Sequence, residues 1–310
     1  MARSKDMGRT KIRTVNSLVS SFKKMAFQAR ALAEATDILE EMVRDKECVR
    51  VLSFAGALVP GGLRPFIAET ISHRIFDVVV TTGANVTHDA IEALGFRHRV
   101  SKRLPSDAAL FKSGRSRIYD VLVPKAAFTA LEEEVGEVLK SLQETTTVSM
   151  FLTSLAKSLR DGDSILAAAL KSDVPIFCPT LVDSALGVMI STREGDRAMD
   201  PFKDRKMLVD RLWEAKRSGI LILGGGAPKN FAFQSMEVTS KGFDYAIQVT
   251  TDRAEFGGLS GASLSEAISW GKVKKDAKIM EVFCDATIAF PLMVSALEER
   301  LPKSFGMTTG

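Results

Sequence analysis

Short apolar runs rich in valine and isoleucine alternate along this chain with longer segments whose apolar residues return every three to four positions. The first pattern predicts strands and the second amphipathic helices. Strands are expected at 50–55 (RVLSFA), 76–82 (FDVVVTT), 174–180 (VPIFCPT), 219–224 (GILILG), 244–250 (DYAIQVT) and 280–284 (MEVFC). Helices are expected at 25–44, 87–95, 127–141, 164–172, 205–217, 262–270 and 287–299. Asn16 or Ser17 is placed to cap the first helical region and Asp285 to begin the last. The strands do not alternate cleanly between apolar and polar, which suits strands buried on both faces. The fold class that follows is α/β, a Rossmann-like parallel sheet with helices on both faces.

No tandem repeat, low-complexity block or Pro/Gly-rich linker divides the chain, so residues 1–310 are expected to form a single domain with an N-terminal helical extension to about residue 47. The polar, turn-rich stretch 100–120 (VSKRLPSDAALFKSGRSRIYD) reads as a long excursion from the sheet. In an open parallel sheet, ligands bind beyond the carboxyl ends of the strands. Those ends carry AGALVPGG (55–62), TTGAN (81–85), PTLVD (179–183), GGGAPKN (224–230), TTD (250–252) and DAT (285–287). Small residues there let a backbone approach a phosphate, and a following helix N-terminus offers free N–H groups. GGGAPKN is not the strict GxGxxG fingerprint.

Composition narrows the function mainly by exclusion. The chain carries 42 basic and 38 acidic residues, and beyond the basic N-terminal segment no lysine- or arginine-rich run suggests nucleic acid. Its longest apolar stretches are far short of the roughly 20 residues that cross a bilayer, so no membrane span is expected. The N-terminal segment MARSKDMGRTKIRTVNS has no apolar core and does not read as a secretory signal. Cys48, Cys178 and Cys284 are widely spaced, consistent with buried thiols in a reducing, cytoplasmic setting. His73, His88 and His98 have no partner at metal-ligand spacing, so no metal is expected.

The stretch LSGASLSEAISWGK, 259–272, carries the most specific chemistry. Ser263 or Ser265 can cap a short helix with Glu266 in its first turn. Glu266 and Trp270 are four apart and share a face. A carboxylate beside an indole is a seat for an alkylammonium group. Gly271 allows the helix to stop, and Lys272 leaves its end. A lysine amine becomes nucleophilic only when deprotonated, which burial or neighbouring cations promote.

GASLSEAISWGKVKKDAKIMEVFCDATIAFPLMVSAL resembles the C-terminal signature of the deoxyhypusine synthase family: a glutamate, Trp-Gly-Lys, then Asp-Ala before an apolar helix. Collinear stretches extend the resemblance over most of the chain: LVSSFKKMAFQARALAEATDILEEMV, FDVVVTTGANVTHD, FCPTLVDSALGVM and ILILGGGAPKNF. The resemblance implies an NAD-dependent transferase, a homotetramer with active sites at dimer interfaces. It moves the aminobutyl group of spermidine, through an imine on an enzyme lysine, to a lysine of the hypusine-containing translation initiation factor. On this resemblance Lys272 is the covalent lysine, and Glu266, Trp270, His88, Asn230 and Gly225 contact the amine. Thr82, Gly83, Ala84, Asp183, Gly224, Gly226, Asp285 and Ala286 fall on nucleotide-contact positions. Departures are also legible: Gly56 and Ala57 replace a Ser-Asn pair, Pro60 a serine, His88 a glutamate and Asn230 a histidine. Val188 and Leu259 stand where the family carries acidic residues. The alternatives these departures raise are a paralogue with another amine donor or acceptor, and a non-catalytic subunit.

Overall fold

The computed structural model describes residues 14–143, 145–159, 161–193 and 198–306; most of the basic N-terminal segment, residues 1–13, lies outside them. Six parallel strands form the main sheet: β1 (Cys48–Phe54), β2 (Val78–Thr81), β3 (Ile176–Phe177), β4 (Arg217–Leu223), β5 (Phe243–Thr250) and β6 (Val273–Phe283). Their order across the sheet is β3-β2-β1-β4-β5-β6. Central β1 pairs Leu52 with Val79 on one side and Leu221 on the other. This is the doubly wound nucleotide-fold order, whose switch point lies between β1 and β4.

The missing alternation in the sequence has a direct cause. Leu52, Phe54, Val79, Leu221, Leu223, Ile247 and Val249 point into a core on one face, under helices that include Phe27–Arg44, Gly83–Ala93, Ala126–Ser141 and Ala286–Arg300. Their neighbours Val51, Val78, Val80, Ile220, Ile222 and Ala246 point to the other face. There they meet the helices Pro201–Glu214, Gly226–Thr239 and Leu264–Ser269. Both faces are dry, so both sets of alternate residues are apolar.

The element boundaries depart from expectation at several points. Strand β3 keeps only two residues of 174–180, because Pro175 has no N–H to donate; its carbonyl accepts from Val79. Strand β6 starts seven residues earlier than expected, at Val273 rather than Met280. Its first half, VKKDAK, is a lysine-studded edge, a composition that discourages pairing with another sheet. Thr14, rather than Asn16 or Ser17, caps the first helix, Val15–Phe22, in a reciprocal box with Ser17. The helix expected at 87–95 begins at Gly83, capped by Thr82. The excursion 100–120 is ordered as a short helix, Asp107–Lys112, and a three-stranded antiparallel ribbon running to Pro124.

A cavity at the switch point and a buried lysine

The carboxyl ends of β1, β4, β5 and β6 converge on a cavity of about 290 Å³. Gly224, Asp285 and Ala286, all expected at a nucleotide, line it with Gly225, expected at the amine, and with Ala55, Gly56, Thr250 and Asp252. A Cβ on Gly225 would stand 2.5 Å from the Ser260 backbone, so only glycine lets the 251–263 loop close over the triple-glycine turn. The helix Gly226–Thr239 starts at this wall without a side-chain cap or an acidic residue in its first turn. Those free N–H groups and the positive end of the helix dipole suit an anion such as a diphosphate. Asp285 uses Oδ1 to accept from Thr287 N and Oγ1, at 2.7 and 2.6 Å. No described residue donates to its Oδ2, which leaves an acceptor for a sugar hydroxyl. The donor set and the small-residue cradle fit a dinucleotide.

Thr82, Gly83, Ala84 and Asp183 form the adjoining stretch of this strand-end surface. Asn85 accepts from Val59 N at 3.2 Å, tying the 81–85 loop to the 55–62 loop. A Cβ on Gly83 would lie 2.5 Å from Ser184 Oγ, so the 179–184 loop packs directly on this helix start. Cys284, expected to be buried, is only partly so and lines the cavity.

Lys272 lies elsewhere. Ser263 caps the helix Leu264–Ser269, Gly271 takes φ +70°, and Lys272 turns inward to 9% exposure. Its Nζ sits 4.8 Å from the Trp270 ring centre and 3.3 Å from Glu237 Oε2, an ion pair whose angles fall short of a hydrogen bond. Because Val273 pairs with Phe243 and Phe283 with Thr250, Lys272 precedes the first rung of β6 while the cavity follows its last. The two are separated by the length of β5, on the order of 20 Å. Asn230 shares the Gly226–Thr239 helix with Glu237, two turns nearer the cavity. Glu266 lies on the neighbouring short helix, and exposed Trp270 is the residue that caps its C-terminus. His88 is on the opposite face of the sheet, against Phe128.

Thus one chain gathers the nucleotide set at the strand ends but divides the amine set: Glu266, Trp270, Asn230 and Lys272 lie on one face of the sheet, His88 on the other, and Gly225 in the cavity wall. Sequence reasoning passed over Lys229, although it lies inside GGGAPKN. It is 3% exposed, donates to Gln248 Oε1 at 2.8 Å and to the Ala262 carbonyl, and forms no ion pair with a described carboxylate, Glu281 and Glu266 acting on it only at longer range. Burial pulls its ammonium from 10.5 down to about 8. Glu237 was also missed; only the packing of two helices separated in sequence reveals it. Among the described residues, no group of His, Cys, Asp and Glu is arranged to hold a metal, and no helix is long and apolar enough to cross a membrane.

Fold and cavity together define an α/β protein of the doubly wound class with a cavity at its switch point. The deoxyhypusine synthase family model matches residues 17–297. A Methanosarcina acetivorans protein named "Probable deoxyhypusine synthase 1" is 45% identical over 94% of this chain and 92% of its own length. An Archaeoglobus fulgidus protein of the same name is 40% identical over 94% and 96%. The crystal structure of an Entamoeba histolytica protein assigned to deoxyhypusine synthase superposes with a TM-score of 0.65 at 19% identity, covering 95% of this chain and 96% of that one. The chain belongs to the deoxyhypusine synthase family. It is therefore an enzyme, a transferase of hypusine biosynthesis.

Proposed function

We propose that the protein transfers the aminobutyl group of spermidine to a lysine of the hypusine-containing translation initiation factor, with NAD as cofactor and Lys272 as covalent carrier. The observation that carries this reading is Lys272 itself: a lysine within SWGK, buried between an indole and a carboxylate, in a member of this family. NAD, bound at the switch-point cavity, would accept and later return the hydride that makes and unmakes the carbon–nitrogen double bond. Gly224–Gly226 and Asp285 would hold it, with Thr82, Gly83, Ala84, Asp183 and Ala286 around it. Trp270 and Glu266 would bind the amine through cation–π contact and ion pairing, and Asn230 and His88 would border it. Lys272, once deprotonated, would attack the imine carbon of the oxidised spermidine and release 1,3-diaminopropane, holding the four-carbon fragment as an imine; the acceptor lysine would then attack the same carbon and free Lys272. The separation of lysine from cavity supports a composite site in which a second copy of the chain, within a homotetramer, brings one to the other.

A second reading keeps the chemistry and changes the donor. Val188 and Leu259, where acidic residues would meet a polyamine, are 59% and 49% exposed apolar side chains. A shorter or less charged amine fits that surface better. Incubation with NAD and labelled amines, borohydride trapping and peptide mass spectrometry test both readings. An NAD-dependent adduct on Lys272 is expected, lost in Lys272→Arg while NAD binding persists. An adduct on another lysine, or none with any di- or polyamine, would overturn the assignment.

A further inference from the structure

Two of the protein's three histidines and one glutamate form a hydrogen-bonded chain at one end of the Gly83–Ala93 helix. Glu92 Oε1 lies 2.7 Å from His98 Nδ1, and His98 Nε2 lies 2.8 Å from His88 Nδ1. The His98 ring is nearly sealed, with 4% of its side chain exposed. His88 is partly exposed, and no described residue hydrogen-bonds its Nε2. It follows Ala84, at the nucleotide loop, by four residues on the same helix face.

The order of donors in this chain is dictated by its buried end. A carboxylate only accepts, so His98 must donate from Nδ1. A neutral His98 then has a lone pair at Nε2 and must accept from His88 Nδ1–H. That leaves His88 Nε2 as a bare acceptor. If His98 takes up a proton, Nε2 becomes a donor, His88 Nδ1 must accept, and the open end carries N–H instead. One proton at His98 therefore reverses the polarity at His88.

We propose that Glu92 and His98 are positioning residues that lock His88 as a neutral acceptor for an N–H of the amine substrate, and that protonation of His98 abolishes this contact. The assignment of the ligand as an amine rests on the function proposed above; the lock itself does not. Burial favours the neutral state of His88 and pushes its pKa down to about 4, so its lone pair is present at neutral pH. The charged groups around the pair are Glu92, Arg64 at 3.8 Å from Glu92 Oε2, and Arg97, which donates to the Glu92 and Phe96 carbonyls. From helix Ala126–Ser141 the Phe128 ring meets His88 edge-on, 6.1 Å between ring centres.

Nitrogen-15 NMR of the three histidines reads the tautomers without any ligand. At pH 7.5, His88 and His98 should both be protonated at Nδ1 only. A proton on His88 Nε2 at that pH overturns the lock. Calorimetric titration of spermidine into the NAD-saturated protein then tests its use. His98→Phe should weaken amine binding about tenfold and flatten its acid-side pH dependence, with NAD affinity unchanged. His98→Gln, whose amide oxygen can still accept from His88 Nδ1, should recover part of the loss. Unchanged amine affinity and pH profile in His98→Phe would reduce the chain to a structural role and overturn the proposal. Absence of binding by the wild type to any di- or polyamine overturns the amine assignment together with the proposed function, and the tautomer result tells that failure from failure of the lock.

Discussion

Lys272 shows how a single residue acquires chemistry from its surroundings. On an exposed helix end it would be a solvated cation; behind Gly271, it is withdrawn against Trp270 and Glu237. Lys229 is the more buried of the two, yet its polar partners are neutral, so it serves to tie the Gly226–Thr239 helix to β5 and the 251–263 loop. Lys229→Met is expected to retain the fold, because it removes a buried charge together with its desolvation cost; urea unfolding at pH 7 checks this, and complete loss of folding would contradict it. His88 yields a pH prediction. Its folded pKa, about 4, lies below the ordinary 6.5, so the unfolded chain binds the proton first as pH falls. Stability should therefore rise with pH between about 4 and 6.5 and level off above, a contribution of a few kcal/mol at most. In His88→Gln the acid loss across that window should be shallower than in the wild type by denaturant titration.

Helix ends and loop crossings are the elements that shape the cavity. Asp285 both caps the helix Ala286–Arg300 and lines the cavity. Asp285→Ala should cost about 1 kcal/mol of stability and also weaken NAD binding, measured by calorimetry; unchanged NAD affinity would remove Asp285 from the nucleotide set. Asp89 is wholly buried and holds three elements together. It pairs with Arg64 at 2.7 Å and accepts from the Ile165 and Leu166 N–H groups that open another helix. Asp89→Ala would leave Arg64 with Asp161 and Glu92 as its carboxylate neighbours and two buried N–H donors unpaired, at about 1–3 kcal/mol for each unpaired donor, a loss visible in the urea midpoint. Helices that begin on apolar periodic runs were legible from the chain. Those at Arg64–Ser72, Val148–Ser158, Ala185–Ser191 and Gly226–Thr239 were not among the expected elements. The last is the instructive case: it opens on a glycine, behind two more, with a proline at its third position, poor helix formers, and is held by packing of Phe231, Ala232 and Met236 on the sheet.

At the scale of the molecule, the exposed apolar side chains bear on assembly. Val182, Phe256 and Ile288 are exposed on loops and a helix start at the strand-end surface, and Val238 and Trp270 are exposed near Lys272. Their burial between copies of the chain would cover both halves of the proposed site. Sedimentation at micromolar concentration is expected to give a tetramer; a fully active monomer would contradict the composite site. Val238→Asp and Phe256→Asp should shift the distribution toward smaller species and reduce turnover together.

The sequence by itself determined the α/β class, the six sheet strands, the small-residue loops at their carboxyl ends and the SWGK motif that marks the family. These are local or collinear signals: apolar runs, turn chemistry and short spacings survive being read one residue after another. Only the tertiary structure decided that Lys272 and the cavity stand at opposite ends of β5, that Glu237 reaches Lys272, and that Glu92, His98 and His88 make one hydrogen-bonded chain. The first two depend on which strands are neighbours and how helices cross over them; the third depends on the turn after Gly83–Ala93 that folds His98 back onto that helix. Contacts between residues distant in the chain arise from the packing of whole elements, which no spacing along a single chain encodes.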